Sequence, residues 1–378
     1  MKFQEIRRVT GRARIFVCAA AILLSTLGMA GCGGGTPSRA EFVYVAVPEA
    51  SLRDHVSTIF NKTGLVHNGE RLLVLERMQN RRFVRVRSPR GEEGWVQDRL
   101  LTDQQTYDQF QRLAEQYKVS PAQATATVEL QVKVHVLPGR KAGYLYLLNE
   151  KQKVDLLERR AAAKNATAAQ MEKQQKDKDK DKDKDKDADA DVDDDKDTSS
   201  PDAVMEDWWL VRDQQKRVGW VLGRTLYLDI PIEIAQYAEG SRVIGAFKLD
   251  EVTDGANKVP EYLALLTENK DGQLYDFSQV RVYTWNTRKH RYETAYREKN
   301  LNGFLPVEMG QQDFGGKEGM LKTFTLHLKD DDGKSRVQLY KFNPPIVRKV
   351  FAPGEEPPAK NKKKPATKTG GKKARKQP

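Results

Sequence analysis

The sequence predicts a mainly β protein: two small barrels and a C-terminal antiparallel β domain, with one connecting helix and a disordered insert and tail. Three observations carry that prediction. Short apolar runs, some alternating with polar residues, recur at close spacing with turn residues between them. A stretch at 81–101 returns at 206–226 without a gap. One segment alone, 103–118, switches to a helical period.

Residues 1–31 come first. Lys2, Arg7, Arg8, Arg12 and Arg14 give a basic start, and Ile15 to Ala30 carries no charge. That layout is a secretory leader. The apolar run is 16 residues long, short of the roughly 20 a spanning helix needs. It exits through Met29-Ala30-Gly31-Cys32. This exit resembles the lipobox of bacterial lipoproteins, in which small residues precede a cysteine that is diacylated and becomes the new N-terminus. The resemblance implies lipid on Cys32 and attachment to a membrane, since each buried methylene contributes about 0.8 kcal/mol. Gly33 to Ser38 then reads as a flexible tether, part of a 32–40 linker. Gly33 stands where an inner-membrane retention signal has Asp, which favours the outer membrane in a host with two membranes. Cys18 lies in the leader, so no disulfide or cysteine site remains for the body.

The first barrel is expected over 41–102. Phe42 to Val45, Arg71 to Glu76, Phe83 to Val86 and Gly94 to Val96 are its strands, with Arg85 and Arg87 pointing outward. The connecting helix follows at 103–120. Tyr107, Phe110, Leu113, Ala114 and Tyr117 lie on one face, Thr102 or Asp103 caps the start, and Ser120-Pro121 ends it.

The second barrel is expected over 125–160 and 204–230, on the strength of the repeat. At an offset of 125, Val86/Val211, Arg87/Arg212, Gly94/Gly219, Trp95/Trp220, Val96/Val221, Arg99/Arg224 and Leu101/Leu226 coincide. Upstream, Leu75-Glu76-Arg77 matches Leu157-Glu158-Arg159 at an offset of 82. The two offsets differ by 43 residues, which places an insertion between Arg159 and Glu206. The pattern of apolar run, turn, aromatic-x-x-Val, turn and Gly-Trp-Val resembles the bacterial SH3-type (SH3b) domains of cell-envelope proteins, over about 44–101 and 128–228. Glu70 to Glu76 and Lys151 to Glu158 fit the middle strand; Gly94-Trp95-Val96 and Gly219-Trp220-Val221 fit the late one. The family's Arg-Ser-Gly-Pro element in the first loop is reduced to Leu52-Arg53-Asp54 in one copy and to Val136-Leu137-Pro138-Gly139 in the other. The resemblance implies SH3-like barrels and binding of peptide or peptidoglycan.

The insert is expected at 161–203. Lys176 to Asp187 is six Lys-Asp pairs with nothing apolar to bury, so disorder is predicted. Asp187, Asp189, Asp191 and Asp193 do not make a calcium loop, because Val192 stands where Gly is needed and no Glu closes the site. Residues 241–350 form the β-rich domain, a small antiparallel barrel or sandwich with turns at Asp271-Gly272 and Asp332-Gly333. The tail, 351–378, is basic and without periodicity.

Charge and motifs bound the function. Residues 1–31 carry +4 and 348–378 carry +9 of the net +12, which leaves 32–347 near neutrality at −1. A nucleic-acid face is not implied. No metal pair, P-loop, G-x-S-x-G or dinucleotide motif occurs, so neither catalysis nor a cofactor or metal is expected. The candidate ligand-binding residues are Trp208, Tyr283 and Trp285; lipidation falls on Cys32. The expected function is a non-catalytic cell-envelope lipoprotein that binds cell-wall material or peptides through its SH3-like modules. The alternative is an accessory factor of an envelope protein assembly, and a third reading is a hydrolase with its site in 241–350. Expected partners are the membrane through Cys32, peptidoglycan or envelope proteins, and, for the basic tail, anionic lipid or wall polymer.

Overall fold

The computed structural model describes residues 40–80, 82–167, 170, 173, 204–330 and 332–351. Cys32, the 174–203 part of the insert and the tail beyond Phe351 lie outside the described residues. The described residues are mainly β, in antiparallel sheets. The described residues from Glu41 on form one compact unit.

The first module contains β1 (Phe42–Val45), β2 (Glu49–Arg53), β3 (Lys62–His67), β4 (Arg71–Arg77), β5 (Phe83–Arg87), β6 (Glu93–Gln97) and β7 (Leu101–Asp103). Its strand order is β3-β2-β6-β5-β4-β1-β7. Strand β5, Phe-Val-Arg-Val-Arg, alternates, so Val84 and Val86 point into the module while Arg85 and Arg87 point out. Val43, Val45, Leu52, Val66, Leu72 and Val96 complete a small core of its own.

Helix α1 (Gln104–Gln116) follows, its first turn capped by the Asp103 carboxylate accepting from Thr106 N. Phe110 and Leu113 are its buried residues. The helix packs on β1 and β7 behind it and on strands of the second module ahead of it. Tyr44 stacks on Tyr107 at 3.8 Å between ring centroids.

The second module contains β8 (Ala124–Val128), β9 (Val132–His135), β10 (Tyr144–Leu148), β11 (Lys153–Ala163), β12 (Met205–Asp213), β13 (Val218–Leu222) and β14 (Leu226–Leu228). Its order, β10-β9-β13-β12-β11-β8-β14, repeats the first module strand for strand. The register repeats as well. Arg85 pairs with Trp95 and Leu210 with Trp220; Phe83 pairs with Gln97 and Trp208 with Leu222. A bulge after Val74 in β4 recurs after Leu156 in β11.

Two expectations are corrected here. Neither sheet closes into a barrel. In the first module, β2 and β6 are joined by the single pair Arg53↔Trp95, and β3 and β7 stay at opposite edges. In the second, Trp220↔His135 is the only pair between β13 and β9. The insert also starts later than 161. Strand β11 runs to Ala163, which pairs with Met205, and Lys164 N still donates to Val204 O. The extra residues therefore leave from the tip of the β11–β12 hairpin.

One-turn helix α2 (Ile232–Ala235) leads into a third sheet: β15 (Arg242–Asp254), β16 (Asn257–Thr267), β17 (Phe277–Asn286), β18 (Arg291–Asp313), β19 (Met320–Lys329), β20 (Ser335–Asn343) and β21 (Ile346–Val350). These strands pair in chain order as an open meander. Strand β18 is 23 residues long: 291–303 pairs with β17 and 303–313 with β19, with a shift of register in the β19 pairing between Phe304 and Glu308.

One hydrophobic core runs through α1, the second module and the third sheet, from Phe110 to Phe342. Charged residues tie the same junction. Arg159, 1% exposed, donates to Asp207 at 2.5 Å and to Asp276 at 3.2 Å. Arg242 reaches Asp207 from the far side at 2.8 Å. Val307 N donates to Gln123 Oε1 at 2.6 Å.

Candidate functional site

Strands β2, β5 and β6 present the outward row of the first module. Phe83 and Gln97 form one rung; Arg53, Trp95 and Arg85 the next; Arg87 and Glu93 the third. Arg85 and Arg87 share the Glu93 carboxylate at 3.1 and 2.6 Å. The hydrogen bond from Arg87 is the main cause that holds the Glu93 carboxyl below its usual range. The Arg53 guanidinium lies 3.9 Å over the Phe60 ring and 5.6 Å from Phe83.

Beyond the Phe83–Gln97 rung lies a cleft of about 460 Å³, lined by Arg82, Phe83, Gln97, Asp98 and Arg99. Its carboxylate is already engaged: Arg77 donates to Asp98 at 2.8 Å and to Glu41 at 2.6 Å. Arg99 Nε donates to the neutral Gln97 side chain at 2.7 Å. Among the described residues, Arg53, Arg82 and Arg99 have no carboxylate partner. Three uncompensated guanidinium groups beside two half-buried aromatic rings make a face suited to an anion that also carries an apolar part.

The equivalent face of the second module is closed. Trp208, Leu210, Val218, Trp220, Leu222 and His135 stand where Phe83, Arg85, Glu93, Trp95, Gln97 and Arg53 stand in the first, and all six are buried. Arg212, in the place of Arg87, donates to the carbonyls of Tyr117 and Ser120, so the loop that ends α1 lies on this face. The loop 136–143 folds over it from another side. Arg140 Nε donates to Glu206 at 2.7 Å, and His135 Nδ1 lies 2.9 Å from Ala142 O. The His135 ring meets Trp208 edge-on at 5.4 Å, and Arg160 lies 5.0 Å over Trp220.

The sequence-predicted binding residues fare unequally. Trp208 and Tyr283 are buried at 2% and 1% exposure and offer no face to a ligand, which corrects the expectation for both. Tyr283 belongs to an apolar cluster that the segment around Ile234 and Tyr237 covers. Trp285 packs at the margin of that cluster, half-buried, its Nε1 donating to Asp254 at 2.8 Å. Asp254 also faces His290 Nδ1 at 2.7 Å; hydrogen bonds, that of Trp285 first, hold its carboxyl below the usual range. Glu261, which accepts from Trp285 N at 3.3 Å, has its carboxyl raised by burial. Among the described residues, no three His, Cys, Asp or Glu side chains converge as metal ligands.

The open face was missed because aromatic content guided the choice of candidates. The repeat held a better signal. At matched outward positions the first copy has Arg85, Glu93 and Gln97 where the second has Leu210, Val218 and Leu222. Polar against apolar at the same register tells which copy is covered.

No family model and no curated protein matches the chain. Solved structures do. NlpC2 from Trichomonas vaginalis is 8% identical at a TM-score of 0.16, covering 71% of this chain and 99% of that one. An NlpC/P60 family protein from Bacillus cereus is 10% identical at a TM-score of 0.20, covering 80% and 95%. Scores this low carry no argument about a reaction or its residues. The expectation that the chain is not an enzyme is withdrawn, since the solved structures it is similar to are NlpC and NlpC/P60 family proteins.

Proposed function

We propose that this chain is an exported cell-envelope protein, held at a membrane by lipid on Cys32, that binds an acidic component of the envelope through the outer face of its first SH3-type module. Cell-wall polymers and wall peptides are components of that kind. One observation carries the reading. Two modules share strand order and register, yet one buries its outer face while the other leaves it open, with Arg53, Arg82 and Arg99 uncompensated. Among the described residues no helix is long and apolar enough to cross a membrane. Attachment through Cys32 supplies the anchor in this reading.

The test is retention. Chain beginning at Gly33 is mixed with washed envelopes, and the Arg82→Ala/Arg99→Ala double variant is run beside it. Loss of retention at unchanged folding supports the reading; equal retention overturns it. Mass spectrometry of the mature N-terminus tests the anchor, with acyl chains on Cys32 as the expected result. The covered face of the second module favours a second reading, an accessory factor of an envelope assembly, since it shows such a face accepting other parts of a protein.

A further inference from the structure

The loop between β2 and β3 borders the open face and does something a soluble-ligand site does not need. Ile59 stands 84% exposed at its tip, next to Phe60, whose ring carries the Arg53 guanidinium. The loop is a built structure. Asp54 accepts hydrogen bonds from His55 N, Asn61 N and Asn61 Nδ2 at 2.8, 3.0 and 2.9 Å, and Asp54 N donates to Asn61 O at 3.1 Å. A large aliphatic side chain is thus held out in water by a fixed turn whose Phe60 carries Arg53, with Arg82 and Arg99 lining the cleft beyond Phe83 on the same face. An apolar wedge surrounded by guanidinium groups is the pattern of surfaces that sit at a bilayer boundary, apolar side chains entering the acyl edge and cations meeting the phosphates.

The covalent chain points the same way. Eight residues, Gly33 to Ala40, separate Cys32 from the start of this module. Fully extended they span at most about 28 Å. A chain fixed at Cys32 keeps the first module within about its own diameter of the lipid.

We propose that the acidic component bound by the first module is the phosphate surface of an anionic bilayer, with Ile59 and Phe60 entering the interface and Arg53, Arg82 and Arg99 meeting headgroups. The proposal rests on the reading that this face takes an acidic envelope partner, and it names that partner.

Chain beginning at Gly33 keeps the whole compact unit from Glu41 on and lacks both the apolar leader and Cys32, so its lipid affinity reports the body. Cosedimentation is measured with vesicles of phosphatidylglycerol and phosphatidylcholine, with pure phosphatidylcholine vesicles, and with lipid-free sacculi. The unaltered protein is expected to bind the anionic vesicles, more weakly as salt rises. Arg82→Ala/Arg99→Ala should bind roughly thirtyfold more weakly, and Ile59→Asp about tenfold more weakly. The basic tail is common to all three proteins, so differences between them come from the face. Unchanged urea midpoints check that the variants fold. Equal binding of the three proteins to anionic vesicles overturns the proposal. So does arginine-dependent retention on sacculi without vesicle binding, which leaves the broader reading standing. Loss of both kinds of binding removes the two together.

Discussion

The two modules have one skeleton and opposite surroundings. What they share lies on the inward positions: Val84 and Trp209, Val86 and Val211, Gly94 and Gly219 occupy matched, buried sites. What separates them lies on the outward positions. Arg77 and Arg159 follow the same bulge, yet Arg77 is 35% exposed and pairs within its own module, while Arg159 is 1% exposed and holds Asp276 of the third sheet. A repeated β module thus keeps its backbone through one face and takes its role from the other. One copy became the joint to the rest of the molecule; the other kept a solvent face.

The largest test exchanges the outward residues. Leu210→Arg places a charge at a fully buried position without a partner and should cost about 4 kcal/mol or more. Arg85→Leu, at the same register, should stay within about 0.5 kcal/mol. Urea midpoints of the two variants decide, and similar midpoints would break the comparison. Next comes the matched arginine pair. Arg159→Ala leaves Asp207 and Asp276 buried with a partner removed, an expected loss of about 3–5 kcal/mol. Arg77→Ala, half in solvent, should lose no more than about 1 kcal/mol.

A third test concerns sameness. A Cβ on Gly94 would meet Leu52 Cβ at 2.8 Å and Arg53 O at 2.9 Å; one on Gly219 would meet the Phe110 ring at 2.7 Å and His135 O at 3.0 Å. Gly→Ala at either position should cost about 1–3 kcal/mol. Thermal unfolding should show comparable losses, because each glycine allows the close crossing of β2 on β6 or β9 on β13. A large loss in one copy only would mean that the crossings differ.

Much of this was legible in the residues. Alternation marked β5, helical period and the Asp103 cap marked α1, and the two repeat offsets located the insertion that leaves from the β11–β12 tip. Strands β2 and β3 were not seen, since Glu-Ala-Ser-Leu-Arg and Lys-Thr-Gly-Leu-Val-His carry few apolar side chains. The C-terminal half of β18, which includes Gly310-Gln311-Gln312-Asp313, is polar and held by pairing with β19 rather than by its own pattern. Closure of the sheets was over-read, because strand period says nothing about whether edge strands meet. The covered face of the second module depends on α1 and on loop 136–143, contacts too distant in sequence for any local pattern.

The smallest expected effect separates the copies by pH. His135 occupies the place of Arg53, and burial, the leading cause, lowers its pKa below the usual 6.5; the hydrogen bond with Ala142 O opposes that shift only in part. The folded protein therefore takes up the proton less readily than the unfolded chain. Between the lowered folded pKa and 6.5 the unfolded state binds more protons, so stability rises with pH across that window and falls as pH drops below 6.5. The slope cannot exceed about 1.4 kcal/mol per pH unit for one group. His135→Gln should flatten that part of the stability profile between pH 5 and 7. Arg53→Gln, the matched substitution in the other copy, should leave the profile's shape unchanged. Urea unfolding at a series of pH values measures both. A flat profile in the unaltered protein would place His135 in contact with water and reopen the face that the structure shows covered.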